Sequence, residues 1–494
     1  MTEGVGAGGA GAPVRLIGAD EDDDVVTMAQ GRSRPAWAEI DLAAVAHNAA
    51  VLARLAAPAE LCAVVKAHGY GHGGPAVARA ALAGGAQRLA VALVDEGMEL
   101  REHGITLPVL LLSECDMDAV DTALAYGLTP TLYSREAIAA FGAAAGASGH
   151  RIPVHLKVDT GMHRVGAAPE ELPALAAAVA REPMLLLEGV WTHLPVADGV
   201  HEEDRAYTEG QLDRFDALVA TLNESGIATP LLHAANTAGT VAFPRARYGM
   251  VRCGLGLYGY LPGESVQRAF VAQTDGAAAA LRPAMSLKAR VVAVRTLDAG
   301  ERPSYGRLRP LPDRSVVATV PIGYADGVPR ALFGGGYHVL IGGVRRPLAG
   351  MVTMDQIVVD CGDDATVRPG DEVVLLGRQG GEEITADDWA ALLGTISYEV
   401  VWRRPPHAPR RGQPPRPHRC LTSASWTGCG SPPRPVPAAR SPRAGPRWSS
   451  GWATRRPTCC SWARGPDARR TWPASPSSGG RASCSTGSCG RSWA

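Results

Sequence analysis

Lysine is almost missing from this chain. Among the 49 lysines and arginines in 494 residues, three are lysines, Lys66, Lys157 and Lys288, so each can be weighed singly. Long apolar runs are missing too. Nothing approaches the roughly 20 consecutive apolar residues that a membrane helix needs, so no membrane partner is expected. The N-terminus, MTEGVGAGGAGAPVRLIGADEDDDVV, lacks the basic start and apolar segment of a secretory signal. It reads as a disordered acidic leader over residues 1–35, with Met28 as an alternative start. Paired cysteines are the third absence. Cys62, Cys115, Cys253 and Cys361 are scattered without a CxxC pair, which gives no basis for a zinc site or a disulfide framework and fits a cytoplasmic location.

The formal charge of zero averages two unlike pieces. From Trp402 to Ala494 seventeen arginines face one acid, Asp467, for a net of +16, so the first 401 residues carry −16. The same stretch holds six of the ten cysteines and seven of the ten tryptophans, set among Pro, Ser and Gly. No period of 2 or 3.6 survives there, so it cannot bury a core. A basic nucleic-acid-binding tail is one reading, but such tails normally use lysine and seldom carry tryptophan. Arg, Pro, Trp, Cys, Ser and Gly are what GC-rich codons yield out of frame. A disordered, frameshifted tail over 402–494 is the favoured reading, and no nucleic-acid partner is expected.

Between these ends the chain has a rhythm. Short apolar runs (LCAVV, RLAVALV, LPVLLLS, LTPTLY, IPVHLKVD, LLEGVWTH, PLLHAAN) alternate with Ala-rich helical stretches such as GPAVARAALAGG and DRFDALVATLNESG. This is the pattern of an α/β fold, an N-terminal (β/α)₈ barrel over residues 36–275 with its active face where the strands end. From residue 276 to 401 strands follow one another without intervening helices, in SLKARVVAVRTL, SVVATVPIGYADG, YHVLIGGVRRPLAGMVTMDQIVVDCG and DEVVLLG. That is a β-rich C-terminal domain, interrupted by one helix, TADDWAALLG.

The three lysines then separate. In SLKARVV, period 2 puts Lys288 on the polar face, a solvated surface residue. In VHLKVDTGMHRVG, His155, Lys157 and Asp159 share one face, which points into the barrel near its mouth; a buried salt bridge and a catalytic role are both open for Lys157. Lys66 ends an uninterrupted apolar strand in AVVKAHGYGHG. Desolvation there lowers a lysine pKa and supplies the neutral amine that a Schiff base requires. Gly69, Gly71, Gly73 and Gly74 let backbone approach a ligand, and Tyr70 offers a hydroxyl.

AVVKAHGYGHG resembles the pyridoxal-phosphate attachment motif of bacterial alanine racemases. HLKVDTGMHRVG, LEGVWTHLPVAD, HAANTAG, RYGMVRCGLGLYGY, PSYG, PIGYADG and GMVTMDQ match that family in order, over about Trp37 to Val401. The resemblance implies a homodimer with shared active sites that interconverts L- and D-alanine, the D-isomer serving cell-wall precursors. Pyridoxal 5'-phosphate would be held by Lys66 as an internal aldimine. The freed Lys66 amine would be the base toward the D-enantiomer. Tyr305, from the β-domain of the other subunit, would be the base toward the L-enantiomer, with His193 as its partner. Arg252 would face the pyridine nitrogen. Being always protonated, it can only donate there, which suppresses reactions other than α-proton exchange.

By the same resemblance the phosphate would be held by Tyr70, Thr237 and backbone N–H groups near Gly254 and Leu255, with Asn236 also in the cofactor site. Lys157 matches a position that is often carbamylated and then positions Arg164, which touches cofactor and substrate carboxylate. Tyr324, Met354 and Asp355 would line the substrate site, and His233 would support Arg252. The chain departs from the family at His68, Gly69, His163 and Pro195. After TISYEVV it lacks the family's closing strand, with its Pro-Arg pair and aromatic residue, which would expose a sheet edge. A racemase of serine or another small amino acid, or a pyridoxal-phosphate-binding protein without turnover, remain the alternatives; the domain after 276 and Tyr305 argue against a single-domain carrier.

Overall fold

The computed structural model describes residues 34–274 and 279–402, together with the backbone of 14–17. The expected tail after Trp402 and most of the expected leader lie outside the described residues. The first strands are β1 (Val14–Ile17) and β2 (Ala36–Asp41). Eight parallel strands follow: β3 (Glu60–Val64), β4 (Arg88–Val91), β5 (Val109–Leu111), β6 (Thr131–Leu132), β7 (Ile152–Lys157), β8 (Leu185–Trp191), β9 (Leu231–His233) and β10 (Met250–Cys253). They pair as β10-β3-β4-β5 and β6-β7-β8-β9. Backbone bonds close both seams. Thr129 N donates to Val109 O at 2.8 Å on one side, and Arg252 N to Ala235 O at 2.9 Å on the other. The result is the expected barrel, whose strands are buried on both faces and therefore read as apolar runs rather than alternations.

The second domain is built from β11 (Met285–Arg290), β12 (Ala293–Leu297), β13 (Ser315–Val320), β14 (His338–Ile341), β15 (Val344–Pro347), β16 (Ile357–Asp360), β17 (Glu372–Gln379) and β18 (Glu382–Ile384). One sheet runs β1-β2-β11-β17-β14-β15 with β18 on β17, and a smaller one runs β12-β13-β16. The helix in TADDWAALLG spans Ala386–Leu393 and is capped by Thr385, whose side chain accepts from Asp388 N. It buries Trp389 edge-on against Tyr337, ring centroids 5.3 Å apart.

Two elements differ from the sequence reading. β2, read as the start of the barrel, pairs antiparallel with β11 through Ile40↔Met285 to Ala36↔Ala289. Ala36 and Ala38 pack into the core of the second domain, so that domain is assembled from both ends of the body. β1, inside the stretch read as a disordered leader, lies parallel to β2; the edge of β2 presents unpaired N–H and C=O groups that another extended segment satisfies. The placement of β2 also corrects Lys288. Its amine meets Glu39 at 2.7 Å, with 17% of the lysine side chain exposed. On the polar face of β11, Lys288 is covered by its strand neighbours rather than solvated, while Arg290 at the strand end stays exposed.

Candidate active site

Lys66 comes two residues after the end of β3, half-buried at the carboxyl ends of the strands. The chain then takes an unusual path. Ala67, His68, Gly69 and Tyr70 all have left-handed φ, 52°, 54°, 63° and 51°, a conformation that costs L-residues roughly 1–2 kcal/mol each. The turn is held from outside. Ala67 N donates to Glu96 at 2.6 Å, and the other oxygen of that carboxylate accepts from Ala92 N and Leu93 N. Gly69 N reaches back to Val65 O at 2.8 Å, and a Cβ on Gly69 would lie 3.3 Å from the backbone of Gly74. The glycine-rich motif is therefore a reversal that carries Tyr70 back over the strand ends, its ring 4.7 Å from that of Tyr258. Burial lowers the pKa of Lys66, Arg164 lowers it further, and Glu96 opposes them. A lysine so placed has more neutral amine near pH 7 than a solvated one.

Beside it is a place for an anion. Gly254 follows β10, and a Cβ there would stand 2.5 Å from the Tyr70 hydroxyl. The Thr237 hydroxyl accepts from Gly254 N at 3.2 Å and Gly256 N at 3.4 Å. Leu255 and Thr237 are buried. Bare backbone and neutral hydroxyls fit a phosphate dianion. Asn236 has a structural duty: its side chain caps the helix Thr237–Ala242 by accepting from Gly239 N at 2.9 Å and donates to Leu194 O at 3.0 Å.

Arg252 lies on β10 and is buried. One of its nitrogens donates to His233 Nδ1 at 2.7 Å. Another donates to Thr192 O, Ala234 O and, at 3.2 Å, His193 Nδ1. Accepting on Nδ1 leaves the neutral His193 ring its proton on Nε2. Burial, then Arg252, hold the pKa of His193 well below its ordinary value. Lys157 and Arg252 each lie over the Trp191 ring, 4.4 Å from its centroid. Burial, Arg252 and Arg164 bring Lys157 down to about 7. The mouth thus collects Lys66, Arg164, Lys157 and Arg252, with the arginines lowering the two lysines, a donor set suited to an anionic cofactor and a carboxylate substrate.

The remaining residues singled out in the sequence lie on loops of the second domain. Ser304 and Arg307, with φ of 69° and 47°, flank Tyr305, which is 74% exposed. Ser304 Oγ donates to Met351 O at 2.6 Å, and Tyr324 N to Thr353 O at 3.0 Å, so the Tyr305, Tyr324 and Met354 loops stand together. Tyr324 and Met354 are also exposed. Asp355 is paired with Arg34 at 2.7 Å, and Arg34 also holds Asp326 at 2.6 Å. Arg34 and Glu96 escaped the sequence reading. Glu96 opens a helix with a capping signature, and nothing local marks it as the clamp of a turn 29 positions earlier. The positive φ of His163, 54°, explains why glycine suits that position. Tyr398 in the helix Ser397–Trp402 sets its ring 6.3 Å from Tyr70; the position expected to lack the closing strand comes after it, outside the described residues.

Among the described residues no cluster of His, Cys, Asp and Glu could hold a metal ion, and no helix is long and apolar enough to cross a membrane. A half-buried lysine whose pKa is lowered by its surroundings, at the carboxyl end of a barrel strand, defines a class: barrel enzymes that work through a lysine amine. Comparison narrows it. Sequence models of the alanine racemase N-terminal and C-terminal domains match residues 40–262 and 284–411. The alanine racemase of Symbiobacterium thermophilum is 45% identical over 372 residues, 74% of this chain and 94% of its own. Among solved structures, the alanine racemase of Clostridium difficile 630 superposes with a TM-score of 0.69 at 36% identity, over 76% of this chain and 94% of that one. The Bacillus anthracis enzyme with bound L-Ala-P gives 0.68 at 34% identity, covering 76% and 93%. The chain belongs to the alanine racemase family.

Proposed function

We propose that this chain interconverts L- and D-alanine in the cytoplasm, with pyridoxal 5'-phosphate as cofactor, in a homodimer whose copies share each site. The observation that carries the reading is the Lys66 amine, its basicity lowered by burial and Arg164, beside an anion cradle at the barrel mouth. Bound there, the cofactor supplies the electron sink that acidifies the Cα–H bond of the amino acid. Tyr70, Thr237 and the N–H groups at Gly254 and Leu255 hold the phosphate. Arg252, a donor already braced by His233, would face the ring nitrogen and, being a donor only, could not accept a proton from it. Lys66 takes or returns the α-proton on one face of the substrate. Tyr305 of a second copy does so on the other, assisted by the Nε2–H of His193; two opposed groups are needed because one face loses the proton and the other gains it. Arg164 receives the substrate carboxylate. Lys157, whose amine is largely available in neutral form above about pH 7, is suited to carbamylation, which turns a cation beside Arg164 into an anion. Tyr324, Met354 and Asp355 line the approach.

The test is direct. Purified protein is mixed with pyridoxal 5'-phosphate, and the absorbance of the bound cofactor and the formation of D-alanine from L-alanine are followed for wild type and Lys66→Ala. Both signals in the wild type, and neither in Lys66→Ala, is the expected result. Bound cofactor without turnover would locate a failure in the half of the site carrying Tyr305. No cofactor band in the wild type would overturn the assignment of Lys66.

A further inference from the structure

A line of polar side chains leaves Arg252 in the direction away from Lys66. His233 Nε2 meets His155 Nδ1 at 2.9 Å, His155 Nε2 meets Glu188 at 2.9 Å, and Glu188 also accepts from Arg88 at 3.0 Å. Arg88 ends the line on Glu60 at 2.7 Å. His233 and His155 are buried, whereas Glu188 is 25% exposed. Glu60 and Arg88 open β3 and β4, so the line runs through the barrel from the mouth to its amino-terminal rim.

The direction of every bond is dictated by its ends. An arginine only donates and a carboxylate only accepts. Arg252 therefore requires a bare Nδ1 on His233, which puts the proton of that neutral ring on Nε2. That proton is donated to a bare Nδ1 on His155, whose own proton sits on Nε2 and is donated to Glu188. One proton arrangement satisfies all three contacts, with both imidazoles neutral. Burial lowers the pKa of both rings, in the same sense.

The backbone is built for this line. The β7/β8 register slips between Val154↔Leu187 and His155↔Gly189, leaving Glu188 as an extra residue in β8. Bulges re-aim side chains and are rare between parallel strands. Gly189 leaves the room that the His155 ring occupies: a Cβ there would lie 2.7 Å from His155 Nδ1. Trp191 stacks on His233 with ring centroids 5.4 Å apart and an interplanar angle of 15°, fixing the ring plane. A bulge, a bare glycine and a stacked tryptophan converge on holding two histidines.

We propose that Glu188 is a positioning residue for the reaction: accepting from His155 at the rim, it locks from that end the single proton arrangement that Arg252 requires at the other, and so braces the Arg252 guanidinium at the barrel mouth through His155 and His233. The proposal deepens the reading above and rests on Arg252 facing the cofactor ring. A carboxylate at the far rim thereby orients a group that it never touches.

The first measurement is heteronuclear NMR of the side chains in full-length protein labelled at histidine nitrogens, without and with pyridoxal 5'-phosphate. His155 and His233, assigned with His155→Gln and His233→Gln, are expected to be bare at Nδ1 and protonated at Nε2 in both states. A proton on Nδ1 of either ring in the wild type, or a mixture, overturns the proposal whether or not any cofactor binds. Steady-state kinetics follow. Glu188→Leu is expected to mix the tautomers and lower kcat about 10- to 100-fold, the usual effect of removing a support behind a site residue, with KM changed far less. Glu188→Gln, which still accepts from His155, should keep the tautomers and most of kcat. Folded Glu188→Leu with wild-type tautomers and wild-type kcat would also overturn it. Should that variant not fold, Gly189→Ala, which crowds His155 from the other side, is expected to disturb the same tautomer signals. Absence of the cofactor band in wild type with the NMR result intact would instead count against the reading of Arg252 and Lys66.

Discussion

In the proposed reaction the barrel mouth and the Tyr305 loops serve the same chemistry, but they are built differently. At the mouth, Lys66 is set by a clamped turn, and Arg252 is tied to His233, His193 and two carbonyls. Folding one chain completes that half. On the second domain, Tyr305 stands on a turn between residues of positive φ and is 74% exposed. The strain sits in Ser304 and Arg307 on either side of it, and such local strain is a feature of functional loops. The contrast separates a half assembled by folding from a half that, in the proposed homodimer, a second copy would complete.

The strongest way to break the first half is Lys66→Ala. Turnover should fall about 10⁴-fold or more because the covalent and proton-transfer roles vanish together, and cofactor absorbance should go with it. The second half responds differently. Tyr305→Phe should lower racemisation about 10²- to 10⁴-fold while cofactor absorbance stays. In D₂O the variant should still exchange the α-hydrogen of D-alanine, through Lys66, and lose exchange of L-alanine. Mixing the two inactive variants sharpens the comparison. If each site takes its lysine and tyrosine from different copies, re-equilibrated mixtures regain about a quarter of wild-type activity, since half the dimers are mixed and each has one intact site of two. No recovery in dimers shown to have exchanged would place both residues on one chain.

These two halves were also unequally legible. The lysine was conspicuous because the chain has so few, and a lone cation at the end of an apolar strand has a chemical reading. Period 2 in VHLKVD put His155 and Lys157 on the inward face, and the structure buries both. The left-handed turn after Lys66 was not legible as such. Of its four residues only Gly69 favours that region, so local preference points elsewhere, and Glu96, which holds it, is remote in sequence. Nor did β2 announce its partner. An apolar-rich strand next to a barrel pattern looks like part of the barrel until the pairing with β11 is seen, because strand pairing is a non-local choice that period alone does not encode. The bulge at Glu188 escapes for a related reason: it is a slip of register between two strands, invisible in either one.

A smaller effect probes the electrostatics of the finished half. Lys157 is lowered from 10.5 to about 7. Below about pH 7 both the folded and the unfolded chain carry its proton, and the cost of burying the cation is fully felt. From about 7 to 10.5 the unfolded chain keeps the proton that the folded chain has lost, so this residue makes stability rise with pH across that window. Urea unfolding in CO₂-free buffer at pH 7, 8 and 9 should show Lys157→Met with a flatter, or reversed, dependence relative to wild type. Parallel curves for the two proteins would mean that the Lys157 ammonium is stabilised at the mouth despite its cationic neighbours.

The smallest expected effect lies where the two domains are joined by β2. Lys288 and Glu39 meet at 2.7 Å with side chains 17% and 11% exposed, and Trp37 Nε1 donates to the same carboxylate at 2.9 Å. Lys288→Met removes the ammonium from half-buried Glu39 and from Glu372, which it also approaches at 3.8 Å. The loss should be about 1–2 kcal/mol of unfolding free energy, between the values for exposed and for buried pairs. Replacing both partners by methionine should recover most of it, because a buried pair exchanged for apolar side chains loses its desolvation cost along with its attraction. Turnover per folded molecule should not change, as the pair touches neither half of the site. If the double variant is as unstable as the single one, the pair is not the source of the loss, and the docking of β2 depends on the methylene packing of Lys288 instead.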